Sequence, residues 1–80
     1  MQNKSLATIF KTNLYRIRKE ELNISYGKLG KLSKVDPSTI SLIEKGLRIP
    51  SLDTVDKLAK GLGLNVDILL KEKDIRDGDK

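Results

Sequence analysis

The sequence contains no cysteine and no histidine among its 80 residues. These two absences exclude disulfide frameworks, thiol nucleophiles, histidine-based acid–base catalysis and most zinc sites. The remaining serine, lysine and carboxylate side chains form no catalytic triad that their spacing supports. We therefore expect a protein that is not an enzyme and that uses no metal ion and no cofactor.

Aromatic residues and long apolar runs are also scarce. Aromatic residues make up 4% of the chain, and the apolar fraction of 38% consists mostly of Leu, Ile and Val. A core of this size rarely supplies more than about 3–5 kcal/mol. The first apolar patch ends at Lys11, which is too early for a signal peptide or a membrane span. We expect one cytoplasmic domain over residues 1–70, followed by a charged, frayed tail at residues 71–80.

The apolar residues that are present repeat every three or four positions, and no segment alternates long enough to indicate a strand. This pattern predicts an all-α domain. The first helix is predicted from about Leu6 to Leu22, with a stop at Asn23. Four further helices are predicted after the capping residues Ser25, Asp36, Ser51 and Asn65, at about 26–33, 37–45, 52–62 and 66–70.

Helices two and three are separated by about three residues, Lys34-Val35-Asp36, as a helix-turn-helix requires. Gly30 would allow the two helices to approach closely. A helical wheel predicts buried faces that carry Leu29 and Leu32, then Ile40, Ile43 and Leu47, and then Leu52, Val55, Leu58, Ala59 and Leu62. The opposite side of helix three carries Ser38, Ser41, Leu42 and Lys45, a surface that could lie in a major groove.

This outward surface has a second interpretation. Single exposed apolar side chains are common, so Leu42 could be an ordinary surface residue. The basic charge could likewise serve solubility alone. The alternative function is therefore a helical protein-interaction module, in which the Leu42 face binds a partner without specific DNA recognition.

Residues 17–70 resemble the XRE family of helix-turn-helix regulators, the phage-repressor and Cro type. The resemblance rests on four strings in the same order and spacing: Ser38-Thr39-Ile40-Ser41, Ile43-Glu44-Lys45-Gly46, Pro50-Ser51-Leu52 and Leu58-Ala59-Lys60. It implies a compact five-helix, repressor-like DNA-binding domain with the motif at about 26–45. It also implies a transcription regulator that acts as a homodimer on a double-stranded DNA operator, as a repressor or as a controller of the phage, plasmid or restriction–modification type.

The resemblance assigns roles to individual residues. Arg18 and Glu44 resemble the family's ion pair between the first and third helices. The residues implied to read bases are Pro37, Ser38, Thr39, Ser41 and Leu42. The resemblance implies phosphate contacts at Tyr26, Arg48 and Ser51. The positive charges of Lys28, Lys34 and Lys45 predict phosphate contacts at those positions as well.

The chain departs from the family pattern at three positions and in the length of one segment. Tyr26 replaces the usual glutamine at the start of helix two, and Lys34 stands where glycine is common in the turn. Pro37 occupies the first base-reading position and offers no hydrogen-bond donor. The chain between Arg18 and Ser25 is also one residue longer than usual.

The net charge of +5 is unevenly distributed. Residues 1–50 hold ten basic and four acidic side chains, a net charge of +6, whereas residues 51–80 hold six basic and seven acidic ones, a net charge of −1. The positive potential therefore belongs to the half with the helix-turn-helix. The near-neutral residues 51–70 are predicted to contain the dimer surface, formed by Leu64, Val66, Leu69 and Leu70.

Overall fold

The computed structural model describes residues 4–72, so residues 73–80 of the expected charged tail lie outside the described residues. The elements are α1 (Leu6–Tyr15), a π-helical segment that continues it (Arg16–Glu21), α2 (Tyr26–Ser33), α3 (Pro37–Glu44), α4 (Leu52–Leu62) and α5 (Val66–Leu70). No strand occurs between residues 4 and 72. The predicted all-α fold is confirmed.

Short polar side chains begin most of the helices. The Oγ atoms of Ser25 and Ser51 each accept a hydrogen bond from the amide three residues later, at 3.0 and 3.1 Å. Asp36 caps α3, and Pro37 occupies the first turn of that helix. Asn65 precedes α5, but its side chain makes no capping hydrogen bond. The capping side chains satisfy amide groups that have no partner within their own helix.

The first helix changes its hydrogen-bond pattern before it ends. The Leu22 N–H donates to the Ile17 carbonyl, five residues earlier, at 2.9 Å. Asn23 then takes a left-handed conformation with a φ of 52°, which asparagine tolerates better than most residues. A π-helical turn, with hydrogen bonds between residues five apart, spans one more residue than an α-helical one.

The helices enclose one aliphatic core. α2 packs against α4 and α3, while α5 packs against α1. This arrangement brings apolar side chains that are far apart in sequence into one cluster. Its buried members are Phe10, Leu14, Ile17, Leu29, Val35, Ile40, Ile43, Val55, Leu58, Ala59 and Leu69.

A buried asparagine attaches the last helix to the first. Asn13 Nδ2 donates to the carbonyl oxygens of Leu69 and Lys71, at 2.8 and 2.9 Å. Its Oδ1 accepts from Arg16 Nη2 at 3.0 Å. Because carbonyl groups at a helix end lack partners within the helix, Asn13 stabilises the docking of α5 on α1.

Three leucines predicted to face the core are exposed instead: Leu32 by 50%, Leu47 by 73% and Leu52 by 86%. The close approach of α2 to its neighbours buries Gly30 and Ser33, and Leu32 falls outside that face. Leu47 follows the left-handed residue that closes α3, so the helical wheel no longer applies to it. Leu52 is the first residue of α4 and lies beyond the packed part of that helix.

One residue of the predicted dimer surface is also placed differently. Leu69 is fully buried, because α5 turns this side chain into the core beside α1. Its assignment to a dimer surface is wrong. Leu64, Val66 and Leu70 are half-buried and pack against the edge of the core.

Candidate nucleic-acid interface

The turn between α2 and α3 is tight because Gly30 has no side chain. A Cβ atom on Gly30 would lie 2.8 Å from the Val35 carbonyl oxygen and 2.9 Å from Pro37 Cγ. The Lys34 N–H donates to the Gly30 carbonyl at 2.8 Å. The end of α2 therefore lies directly against the start of α3.

Lys34, which stands where glycine is common in the turn, adopts a left-handed conformation. Its φ is 61° and its ψ is 38°. For a residue with a Cβ atom this conformation costs about 1–2 kcal/mol. The strained position leaves the lysine side chain exposed beside the start of α3.

α3 has a buried side and an outward side. Ile40 and Ile43 lie on the buried side and are fully buried. Pro37 and Ser38 are exposed, and Thr39, Ser41 and Leu42 are half-buried. The structure thus brings the five residues implied to read bases to the outer part of this helix.

The first turn of α3 is organised by Asp36. Its Oδ1 atom accepts from the Ser38 N–H at 2.9 Å and from the Ser38 hydroxyl at 2.7 Å. The hydrogen bond from the hydroxyl and, to a smaller extent, the one from the amide stabilise the ionised carboxylate and so lower the pKa of Asp36. Nearby, Arg48 Nη1 donates to Thr39 Oγ1 at 3.4 Å. An ionised carboxylate and a guanidinium therefore flank the start of the helix.

The residues predicted to contact phosphates lie outside α3: Tyr26 and Lys28 on α2, Lys34 in the turn before α3, and Lys45, Arg48 and Ser51 after it. They are exposed, except for the half-buried Tyr26. Ser51 uses its hydroxyl oxygen to cap α4. The exposed cations among them are Lys28, Lys34, Lys45 and Arg48.

A buried ion pair attaches α3 to the first helix. Arg18 Nε donates to Glu44 Oε2 at 2.6 Å, and Arg18 Nη2 donates to Glu44 Oε1 at 2.9 Å. Arg18 Nη1 also donates to the Ile24 carbonyl at 2.7 Å. The two side chains are only 6% and 2% exposed, and the hydrogen bond to Glu44 raises the pKa of Arg18. This pair fixes both the end of α3 and the chain that leads into α2.

Tyr26 covers this ion pair, a role that was not predicted. The Arg18 guanidinium carbon lies 4.2 Å from the centre of the Tyr26 ring and 5.8 Å from that of Tyr15. A guanidinium placed over an aromatic ring is attracted to its π electrons. The residue that departs from the family's glutamine thus stabilises the pair through its ring.

Asn13 was also missed, although the sequence contains a signal for it. It lies next to Leu14 on the helical face that carries Phe10 and Ile17. A polar residue on an apolar face indicates a buried hydrogen-bonding group. No such local signal exists for the stacking of Tyr26 on Arg18, because two separate elements supply the two side chains.

Among residues 4–72, no group of three or more acidic, histidine or cysteine side chains is placed to hold a metal ion. None of the helices described there is long and apolar enough to cross a membrane.

A helix-turn-helix family model matches residues 14–69, which include α2, α3 and α4 entirely. Comparisons with curated proteins and with solved structures gave no match.

Proposed function

The chain belongs to the helix-turn-helix family, of the XRE type, and from this premise we propose that it is a homodimeric repressor that reads an operator with α3 in the major groove. The observation that carries the proposal is the outward side of α3, which combines exposed and half-buried short side chains with surrounding cations. In helix-turn-helix proteins the second helix of the motif enters the major groove, with its first residues nearest the bases.

The chemistry of the side chains and their place relative to α3 decide which of them we assign to bases and which to phosphates. Pro37, Ser38, Thr39, Ser41 and Leu42 lie on the helix that enters the groove, so we assign base contacts to them. The cations lie around it, where the phosphate backbone would pass, and phosphate contacts fix register without specifying sequence. Tyr26 combines its ring contact to Arg18 with a hydroxyl that could donate to a phosphate.

Arg48→Ala should weaken binding to all duplex sequences. Each phosphate contact that is lost reduces the slope of log K against log salt concentration by about one. The measurement is a salt titration of binding to duplex DNA by fluorescence anisotropy. Lys60→Ala on α4 is the matched control, because its exposed ammonium pairs with Asp56 in the near-neutral half of the chain.

An unchanged slope in Arg48→Ala would remove Arg48 from the phosphate contacts. Wild-type protein that fails to bind duplex DNA even at low salt would contradict the proposed function. That result would favour the alternative, a helical protein-interaction module that uses the Leu42 face.

Dimerisation is proposed because a palindromic operator places its half-sites about one helical turn apart, which one small domain does not span. With Leu69 in the core, the available apolar surface near α5 consists of Leu64, Val66 and Leu70, together with Ile68, which is exposed.

Ile68→Lys should convert the dimer to a monomer that remains folded, because the side chain is exposed in the monomer. Its melting temperature should fall only by the stabilisation that dimerisation gives the wild type. Sedimentation equilibrium at several protein concentrations measures this change. Leu22→Lys is the control, since Leu22 is similarly exposed but lies at the end of the π-helical segment. Wild-type protein that sediments as a monomer at micromolar concentrations would contradict the dimer.

A further inference from the structure

The start of α3 presents hydrogen-bond acceptors to its surroundings. The Ser38 hydroxyl lies 2.7 Å from Asp36 Oδ1. An ionised carboxylate has no proton to give, so the hydroxyl of Ser38 must donate its proton to Asp36. The lone pairs of Ser38 Oγ remain available. Asp36 is itself exposed, and its Oδ2 makes no hydrogen bond within residues 4–72.

The rest of α3 offers few donors. Its sequence, PSTISLIE, contains no arginine, lysine, asparagine or glutamine, the side chains that make two-point contacts with guanine or adenine. Glu44 is engaged with Arg18. Pro37 and Leu42 contribute apolar surface, which suits the methyl group of thymine.

In the major groove, adenine and cytosine each present an exocyclic amino donor, whereas guanine presents only the acceptors N7 and O6. We propose that α3 reads the amino group of an adenine or a cytosine through Ser38 and Asp36, and thymine methyl groups through Pro37 and Leu42. This specificity rests on the proposed function, since it assumes that α3 lies in the major groove.

The same arrangement acts against guanine. The carboxylate of Asp36 and the lone pairs of Ser38 would face N7 and O6, so acceptors would meet acceptors and no proton would lie between them. Specificity often depends on such a repulsive element as well as on an attractive one. Asp36 therefore both caps α3 and disfavours guanine at the base position that it faces.

Arg48 is the competing reader of guanine near this site. Its guanidinium reaches Thr39 and carries donors that could bind N7 and O6 together. We assign this side chain to phosphate instead, so the dependence of binding on guanine is the decisive measurement.

The first experiment uses the full chain and a binding site selected from a random duplex pool. Within the selected site, adenine is replaced by purine, which lacks the amino group, and thymine by uracil, which lacks the methyl group. Guanine is replaced by 7-deazaguanine, which lacks N7. Loss of one amino group at the position that α3 faces should weaken binding by about 2-fold to 100-fold, the range for one hydrogen bond to a neutral or a charged acceptor. The 7-deazaguanine duplex should bind as the parent does.

The second experiment uses variants. Ser38→Ala should reduce the difference in affinity between the natural duplex and the duplex without the amino group, because one of the two acceptors is gone and only the Asp36 carboxylate remains. A merely structural role would weaken binding to both duplexes and preserve their ratio. Asp36→Asn keeps an oxygen for the cap and adds a donor, so it should raise the affinity for guanine at the facing position. Asp53→Asn in the first turn of α4 is the control, and thermal melting confirms that each variant folds.

The outcomes separate this inference from the function on which it rests. Salt-dependent binding to a selected site that loses affinity with 7-deazaguanine would overturn the inference and leave the DNA-binding proposal intact. If that guanine dependence also disappears in Arg48→Ala, which removes the guanidinium, the base reader is Arg48. Failure of the wild-type chain to bind any duplex at low salt would overturn both.

Discussion

Arg18→Met should lower the free energy of unfolding by about 3–5 kcal/mol, the usual cost of leaving one member of a buried ion pair without its partner. Glu44, whose side chain is 2% exposed, would keep a negative charge in the interior. The variant would also lose the hydrogen bond to the Ile24 carbonyl and the ring contact with Tyr26. Since a core of this size rarely supplies more than about 3–5 kcal/mol, we expect the variant to be largely unfolded. Urea unfolding followed by circular dichroism measures the change.

The double variant Arg18→Met/Glu44→Leu separates two effects on stability: the unpaired buried charge of Glu44 and the lost contacts of Arg18. Replacing both partners by apolar residues removes the buried charge altogether, and such replacements are often neutral or stabilising. We expect it to recover much of the lost stability. Asp53→Asn, which breaks the exposed pair with Lys57, should cost less than about 1 kcal/mol. If Arg18→Met were no more destabilising than this surface variant, the pair would not hold α3 in place.

Gly61→Ala should destabilise the protein, although alanine normally favours a helix over glycine by about 1 kcal/mol. Gly61 lies within α4 where it crosses α2. A Cβ atom there would lie 2.7 Å from Ser33 Cβ and 2.9 Å from both the Cα and the backbone nitrogen of Ser33. These atoms belong to α2 and its buried serine, so the helices must separate. Overpacking of this kind costs about 1–3 kcal/mol, which thermal melting will detect.

Gly27→Ala is the matched control for the effect of helix propensity. The nearest atom to a Cβ at Gly27 is Ser25 Oγ, at 3.8 Å, an ordinary contact distance. This substitution should stabilise the protein by up to about 1 kcal/mol. A Gly61→Ala protein that melts above the wild type would contradict the close crossing of α2 and α4.

Local signals predicted the helical elements well. Ser25, Asp36-Pro37 and Ser51 begin helices where the sequence places them, because a cap is an interaction between residues two or three positions apart. Gly46 closes α3 with a φ of 77°. This signal is also local, because glycine tolerates a backbone conformation that strains other residues. The candidate site depended on more than local signals, since the resemblance to the XRE family supplied its residues.

The arrangement of side chains around those helices was less predictable. Leu32 and Leu69 are both leucines at helical spacing, yet one is half-exposed and the other fully buried. The helical wheel describes one helix at a time, whereas burial depends on which neighbour covers each face. Small residues such as Gly30 and Gly61 set how closely those neighbours approach.

The sequence by itself determined an all-α domain, its helix starts, the tight joint between α2 and α3, and a positive charge concentrated in the half that contains them. These properties depend on composition and on contacts between residues close in the chain. Only the tertiary structure decided that Tyr26 covers Arg18, that Asn13 holds the end of α5, and that Leu69 belongs to the core. Each of these contacts joins elements whose relative positions come from packing the whole core, which no local pattern records. The acceptor-rich start of α3 combines both sources, because its residues are adjacent in sequence and the folded domain leaves them exposed.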